Sequence, residues 1–268
     1  SAARKMTRPT IIQRLEGVPL PSWPFILLIA VLVRLAIGIL WWVVADSATN
    51  PLAGDTYLYA GTDGYLQLAH TWLHTGEWAF APGDASVLHR PPMTVWLMAL
   101  TTAWNPQYWF VNWLVVSLLL TAASILVFRH ICRQLQLSER WTRLALLLFA
   151  LHPMLAASVR ATSFIQSGVL MLLLVIAAAL HARSKPGAWS FVLLGFTIAG
   201  AALTHGALML LLGIIPLWLA FQRKRVVFPA LSVGVAILCI APWTMRNYQA
   251  AEQFLPVVNG AGTQFWIA

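Results

Sequence analysis

Two aspartates and two arginines carry the chemistry this chain could perform. Asp55 and Asp63 stand in a stretch rich in Gly, Thr and Tyr. A carboxylate held at the edge of an apolar phase has its pKa raised toward the range in which it accepts a proton from a hydroxyl or an amine. Asp63 also precedes a helical pattern, where it would cap the first turn, and the two roles are compatible. Asp46 and Asp84 are weaker candidates for the base. Arg90 opens Arg90-Pro91-Pro92, where a planar guanidinium fork suits a phosphate and the prolines stiffen its approach; a side chain merely reaching for the headgroup layer is the alternative. Arg246 lies in Pro242-Trp243-Thr244-Met245-Arg246-Asn247-Tyr248. Tyr57, Tyr65, His89, Arg160, His205 and Asn247 are candidates to line the same site. These types suit proton abstraction beside a bound phosphate.

The elements that must position them are membrane helices. Apolar residues make up 60% of the 268, charged residues only 9%, and the mean hydropathy is +0.75, far from a soluble domain. Runs long enough to cross about 30 Å of hydrocarbon predict seven spans, near 24–45, 108–128, 143–158, 164–181, 188–204, 207–222 and 226–243. The expected fold class is an all-α integral membrane protein, with a cytoplasmic segment 1–23, a transmembrane module 24–243 including an outer loop 46–107, and an outer segment 244–268. The first span reads as a retained signal anchor.

Charge bias sets the orientation. Thirteen of the seventeen Lys and Arg precede the first span or fall in the links after the second, fourth and sixth, which places the amino terminus inside and the carboxy terminus outside. The net charge of +9 then needs no nucleic-acid partner. Six of the eight carboxylates fall in outer segments, most of them between 46 and 92. Arg246 breaks the bias, so a partner is expected beside it. Arg34, mid-span, should face protein or water. Several of the fourteen Trp, Trp23, Trp41, Trp42, Trp109, Trp141 and Trp243 among them, sit beside apolar runs and read as interface anchors.

Within the outer loop, Tyr65, Leu68, Ala69, Trp72 and Leu73 recur with helical period. A helix lying on the membrane is expected, with Gln67, His70 and His74 on its wetter side and Gly76 ending it. The apolar run from Met93 to Trp104 is too short to cross and should lie along the interface. Cys132 and Cys239 share no oxidising surface in this topology and predict no disulfide. His152 and His205 read as hydrogen-bonded packing residues, so no metal ligand is assigned and no cofactor is expected; a divalent-metal requirement stays open.

These residues together resemble the GT-C superfamily of membrane glycosyltransferases, in the branch of protein O-mannosyltransferases and lipid A aminoarabinose transferase. The resemblance rests on Arg34 inside the first span, on Asp63, Tyr65, Ala69, Leu73 and Gly76, on Arg90-Pro91-Pro92, and on Pro242, Trp243, Arg246, Asn247 and Tyr248, continued by Asn259-Gly260 and Trp266. It implies a bacterial inner-membrane enzyme working at the periplasmic face on a polyprenyl-phosphate sugar. By the same resemblance Asp63 or Asp55 is the catalytic acidic residue, Arg90 contacts the donor phosphate, and Arg246 assists near the headgroup. The chain departs from the pattern at Gln166, where the family often has an acidic residue, at His205, where a basic one is usual, and at Val95, where a proline is usual. Relatives continue with further spans and often a soluble outer domain that helps choose the acceptor. The acceptor, whether glycan, lipid or protein, therefore stays open, and a partner subunit is admitted. Two other expectations stand beside transfer: a polyprenyl-lipid-handling or transport protein without chemistry, and a noncatalytic or partner-dependent module.

Overall fold

The computed structural model describes residues 19–48, 64–103, 108–160, 163–223 and 226–259, and among them the protein is helical, with no strand. In chain order the helices are α1 (Trp23–Ala48), α2 (Tyr65–Thr75), α3 (Pro92–Met98), α4 (Trp109–Gln134), α5 (Glu139–Leu151), α6 (Pro153–Ala157), α7 (Ile165–Ser184), α8 (Ala188–Thr204), α9 (Leu211–Arg223) and α10 (Val227–Ala251). A π-helical turn, Ala99–Ala103, prolongs α3, and 3-10 turns at Ser158–Arg160 and Gly206–Leu210 follow α6 and precede α9.

Four helices are long and apolar enough to cross a membrane: Trp23–Trp41 within α1, Trp109–Gln134, Ile165–Ser184 and Val227–Ala251. A fifth crossing is made if α5 and the segment Pro153–Arg160, bent by 48° at their break, act as one span. Ala188–Thr204 and Gly206–Gln222 are apolar but shorter. The last long helix runs eight residues past the expected end at 243 and stops at Ala251, with Glu252 in the left-handed region. Pro242 to Tyr248 therefore sit on helix turns rather than in a trailing segment.

Side-chain periodicity explains which faces meet. On α1, Ile26, Ala30 and Arg34 recur every fourth residue and are buried, while Phe25, Leu28, Leu32, Ile39 and Leu40 are exposed, the pattern of one face on protein and the other on lipid. α8 is the buried centre, with Phe191, Leu194, Ile198, Ala201 and Ala202 wholly covered. Its small residues let α10 approach closely. A Cβ on Gly195 would stand 2.6 Å from the Ser232 carbonyl oxygen and 2.7 Å from Val235 Cβ.

The break between α5 and α6 has a local cause. Pro153 has no N–H to give and the helix breaks there, the Phe149 carbonyl taking the His152 N–H at 3.4 Å. Arg34 supplies a donor there: its Nη1 donates to the Ala150 carbonyl at 2.9 Å and to Ala30, one turn back on its own helix, at 3.2 Å. An arginine that hydropathy finds costly thus serves irregular backbone inside the bundle, the setting in which such backbone is tolerated.

Candidate functional site

The starts and ends of these helices gather a polar, aromatic end of the bundle. Thr94 on α3 and Ser167 on α7 share a hydrogen bond at 3.2 Å. Phe164, just before α7, stacks on His205, just after α8, at 4.1 Å between ring centroids, and meets Tyr65 of α2 at 6.5 Å. Trp96 of α3 meets Trp243 of α10 edge to face at 6.1 Å. The far ends of the long helices lie roughly 30 Å away by helix rise. Basic residues sit there on indoles, Arg129 over Trp23 at 4.1 Å and Arg183 over Trp218 at 5.8 Å.

α2 forms where the apolar period placed it, bounded by two left-handed glycines, Gly64 (φ 75°) and Gly76 (φ 78°). Gly64 occupies the N-cap position assigned to Asp63, and a Cβ there would come 2.6 Å from Phe80. Of the side chains expected on the wetter side, His74 is exposed and His70 half-buried, but Gln67 is not. Gln67 is buried and its Nε2 donates to the Phe80 carbonyl at 2.8 Å, which also accepts from Thr71 Oγ1 at 3.0 Å, whereas Leu73 is exposed. The loop after the helix folds back onto α2, so Gln67 and Thr71 meet the Phe80 carbonyl instead of water.

The chain from Trp78 to Arg90 and the end of α10 then close on one another. Val87 N–H donates to the Trp78 carbonyl at 2.8 Å, and Arg246 Nη1 donates to the Val87 carbonyl at 3.3 Å and to Asn247 Oδ1 at 3.0 Å. Asn247, fully buried, clamps the returning chain through the carbonyls of Leu255 (3.1 Å) and Val257 (2.9 Å). Trp243 Nε1 also donates to Val257, at 2.8 Å, and Asn259 N–H donates to Leu88, at 2.8 Å.

These contacts frame an open cleft of about 520 Å³ lined by Trp72, Trp78, Trp96 and Trp243, with Glu77, Asp84 and Arg246 as its charged groups. The indoles pack edge to face, Trp72 on Trp78 at 6.0 Å and Trp78 on Trp243 at 4.7 Å. The Arg246 guanidinium carbon stands 5.1 Å from the Trp243 ring and 5.7 Å from Trp78, distances at which a cation is held by the ring face. Glu77 accepts the Gly83 N–H at 2.7 Å and Asp84 the Ala81 N–H at 3.2 Å, so both shape the loop. Arg143 pairs with Glu139 at 3.1 Å, whereas Arg246 has no carboxylate partner among the described residues; the partner expected for it is aromatic and carbonyl instead.

Arg90 lies at the other end of the Val87–Arg90 segment, up to about 10 Å of chain from Val87. Its guanidinium carbon is 5.1 Å from the Tyr65 ring, and its Nε has no hydrogen-bond partner among the described residues. His89 beside it faces Phe80 at 5.9 Å; partial burial, then the Arg90 charge, holds its pKa below the ordinary imidazole range. Burial also lowers His205, whose Nδ1 accepts the Ala207 N–H at 3.3 Å and so must be unprotonated.

The structure thus brings Arg246 and Asn247 to the cleft region, and Tyr65, Arg90, His89 and His205 to a neighbouring aromatic stack. It does not bring Arg160 there: its Nε donates to Ala157 at 3.1 Å and its guanidinium lies 5.3 Å from Trp41 of α1. Asp55, Tyr57 and Asp63 lie outside the described residues. Sequence reasoning missed Trp72, Trp78, Trp96 and Glu77 as a wall; the available signal was the density of Trp around the Gly-bounded helix, which reading Trp243 singly as an interface anchor did not use. On the opposite face of α10, Met209, Leu212, Ile237, Ile240, Met245 and Phe254 help line an apolar groove of about 570 Å³.

No protein-family model, curated protein or solved structure matches the chain.

Proposed function

We propose that this protein transfers a sugar from a polyprenyl-phosphate donor to an acceptor at the outer face of a bacterial inner membrane. The observation that carries the reading is Arg246, set against two indoles with no carboxylate partner among the described residues, in a cleft walled by four Trp. A phosphate takes the charge-assisted bonds that such a guanidinium has to spare, and indole faces take the C–H face of a sugar ring. The groove beside α10 suits a prenyl chain because its lining is almost wholly apolar.

In this reading Arg246 holds the donor phosphate in the cleft, and Arg90 turns from the Tyr65 ring to join it. Asp63, or Asp55 in its place, takes the proton of the acceptor group, whose lone pair forms the new bond at the anomeric carbon as the bond to the lipid phosphate breaks. Seven spans, an amino terminus inside, and α2 and α3 at the outer interface complete the arrangement. The acceptor is a glycan, a lipid or a protein, with a partner subunit admitted.

A second reading, a polyprenyl-lipid-handling protein without chemistry, is favoured by one observation: both described carboxylates of the cleft are engaged by backbone N–H groups of their own loop. Mass spectrometry of lipids retained by the purified protein, wild type beside Arg246→Ala and Arg90→Ala, tests the donor site. A polyprenyl phosphate or its sugar adduct, lost in both variants, is the expected result; bulk phospholipid unchanged by either refutes it. Asp63→Asn with full turnover would move the base to Asp55, and dispensability of both would favour the second reading.

A further inference from the structure

Arg34 poses a charge problem that its two carbonyl partners do not solve. It is 2% exposed and stands midway along the span Trp23–Trp41, where an ionised side chain is costly. The carboxylates with described side chains, Glu77, Asp84, Glu139 and Glu252, all stand in loops or at helix ends. Its Nη1 is spent on the Ala30 and Ala150 carbonyls, and its Nε has no partner among the described residues. Carbonyl dipoles orient a guanidinium without neutralising it, and a buried charge is held at low cost only when paired.

Beside it lies a small cavity between α1, α4, α5, α6 and α7, lined by Arg34, Thr121, Ser124, Phe149, Leu155, Gln166 and Val169. Its volume is about 20 Å³, above the roughly 10–15 Å³ that a single water requires. The only charge on its wall is positive, and Thr121 and Ser124, both buried, add hydroxyls able to donate. Gln166 turns its donor away, Nε2 giving to Ser158 Oγ at 3.2 Å while Ser158 gives its own proton to Leu155. Its Oε1 has no partner among the described residues, so the anion must sit on the Arg34, Thr121 and Ser124 side of the cavity.

We propose that this cavity is a binding site for a small monovalent anion of chloride size, held by Arg34 with the hydroxyls of Thr121 and Ser124. The anion balances the guanidinium inside the bundle and steadies the α5–α6 break that Arg34 caps. The site is separate from the cleft and does not depend on the glycosyl-transfer reading.

Thermal unfolding of the detergent-solubilised protein tests it, with chloride, then bromide, exchanged against gluconate at constant ionic strength. Saturating chloride should raise the unfolding temperature by roughly 5 °C or more, with bromide acting alike. Thr121→Val and Ser124→Ala leave both Arg34 bonds in place, and each should shift the halide midpoint at least several-fold. No halide dependence in the wild type would mean that water alone fills the cavity and would overturn the proposal. So would a halide response unchanged in both variants, which would place the anion elsewhere.

Discussion

Arg246 and His205 show how far a residue's type alone predicts its work. Arg246 was legible as unusual because it breaks the charge bias, but of its partners only Trp243 is a near neighbour in the chain, the Val87 carbonyl and the Trp78 ring lying 159 and 168 residues away. Arg246→Lys keeps the charge but loses the flat stacking and the fork. Retained polyprenyl phosphate should fall at least tenfold in quantitative lipid mass spectrometry, while the fold, read by circular dichroism, is kept. His205 makes a pH prediction with a definite sign. Its folded-state pKa is depressed by burial, so below the unfolded value of about 6.5 the unfolded chain takes up the proton first and stability falls with pH until the folded-state pKa is passed. Unfolding midpoints measured from pH 7.5 to 5 should drop in the wild type, with a shallower slope in His205→Gln.

Elements were easier to foresee than their ends. α2 was expected from the period of Tyr65, Leu68, Ala69 and Trp72 and from the stop at Gly76, because local periodicity and a left-handed glycine are properties of adjacent residues. Which side of it would be wet was not legible, since the Phe80 carbonyl that buries Gln67 and Thr71 arrives through the fold of the following loop. The bend between α5 and α6 could be suspected from Pro153, yet the donor that makes it tolerable, Arg34, lies 116 residues away. Helix packing sets the next prediction. Gly195→Val must displace backbone and Val235 to open space between α8 and α10. A loss of about 1–3 kcal/mol, the usual penalty of overpacking, should appear in denaturant unfolding, and Gly187→Val, with nothing near its Cβ position, should cost less.

At the scale of the whole molecule, four helices among the described residues are long and apolar enough to cross a membrane, or five with the bent pair, as a membrane protein requires. Charge bias supplies the orientation proposed here. Single cysteines placed at Glu252 and at Lys185, in a Cys132→Ala, Cys239→Ala background, should react with a membrane-impermeant thiol reagent from opposite sides, the first from the periplasmic side. Labelling of both from one side would reverse or remove that topology and, with it, the outer placement of the cleft.

The sequence by itself determined the helical membrane class, the boundaries of α2 at Gly76, and the aspartates, arginines and aromatic types from which a phosphate site could be built. Those follow from composition, from period and from the chemistry of single side chains, none of which needs a second segment. Only the tertiary structure decided that four indoles share one cleft with Arg246, that Arg90 lies on Tyr65 instead of facing that wall, and that Arg160 turns to Trp41. Each of these depends on segments far apart in the chain meeting at one end of the bundle, and helix packing, fixed by small residues such as Gly195 and by hydrogen bonds such as those of Asn247, sets that meeting rather than any local pattern.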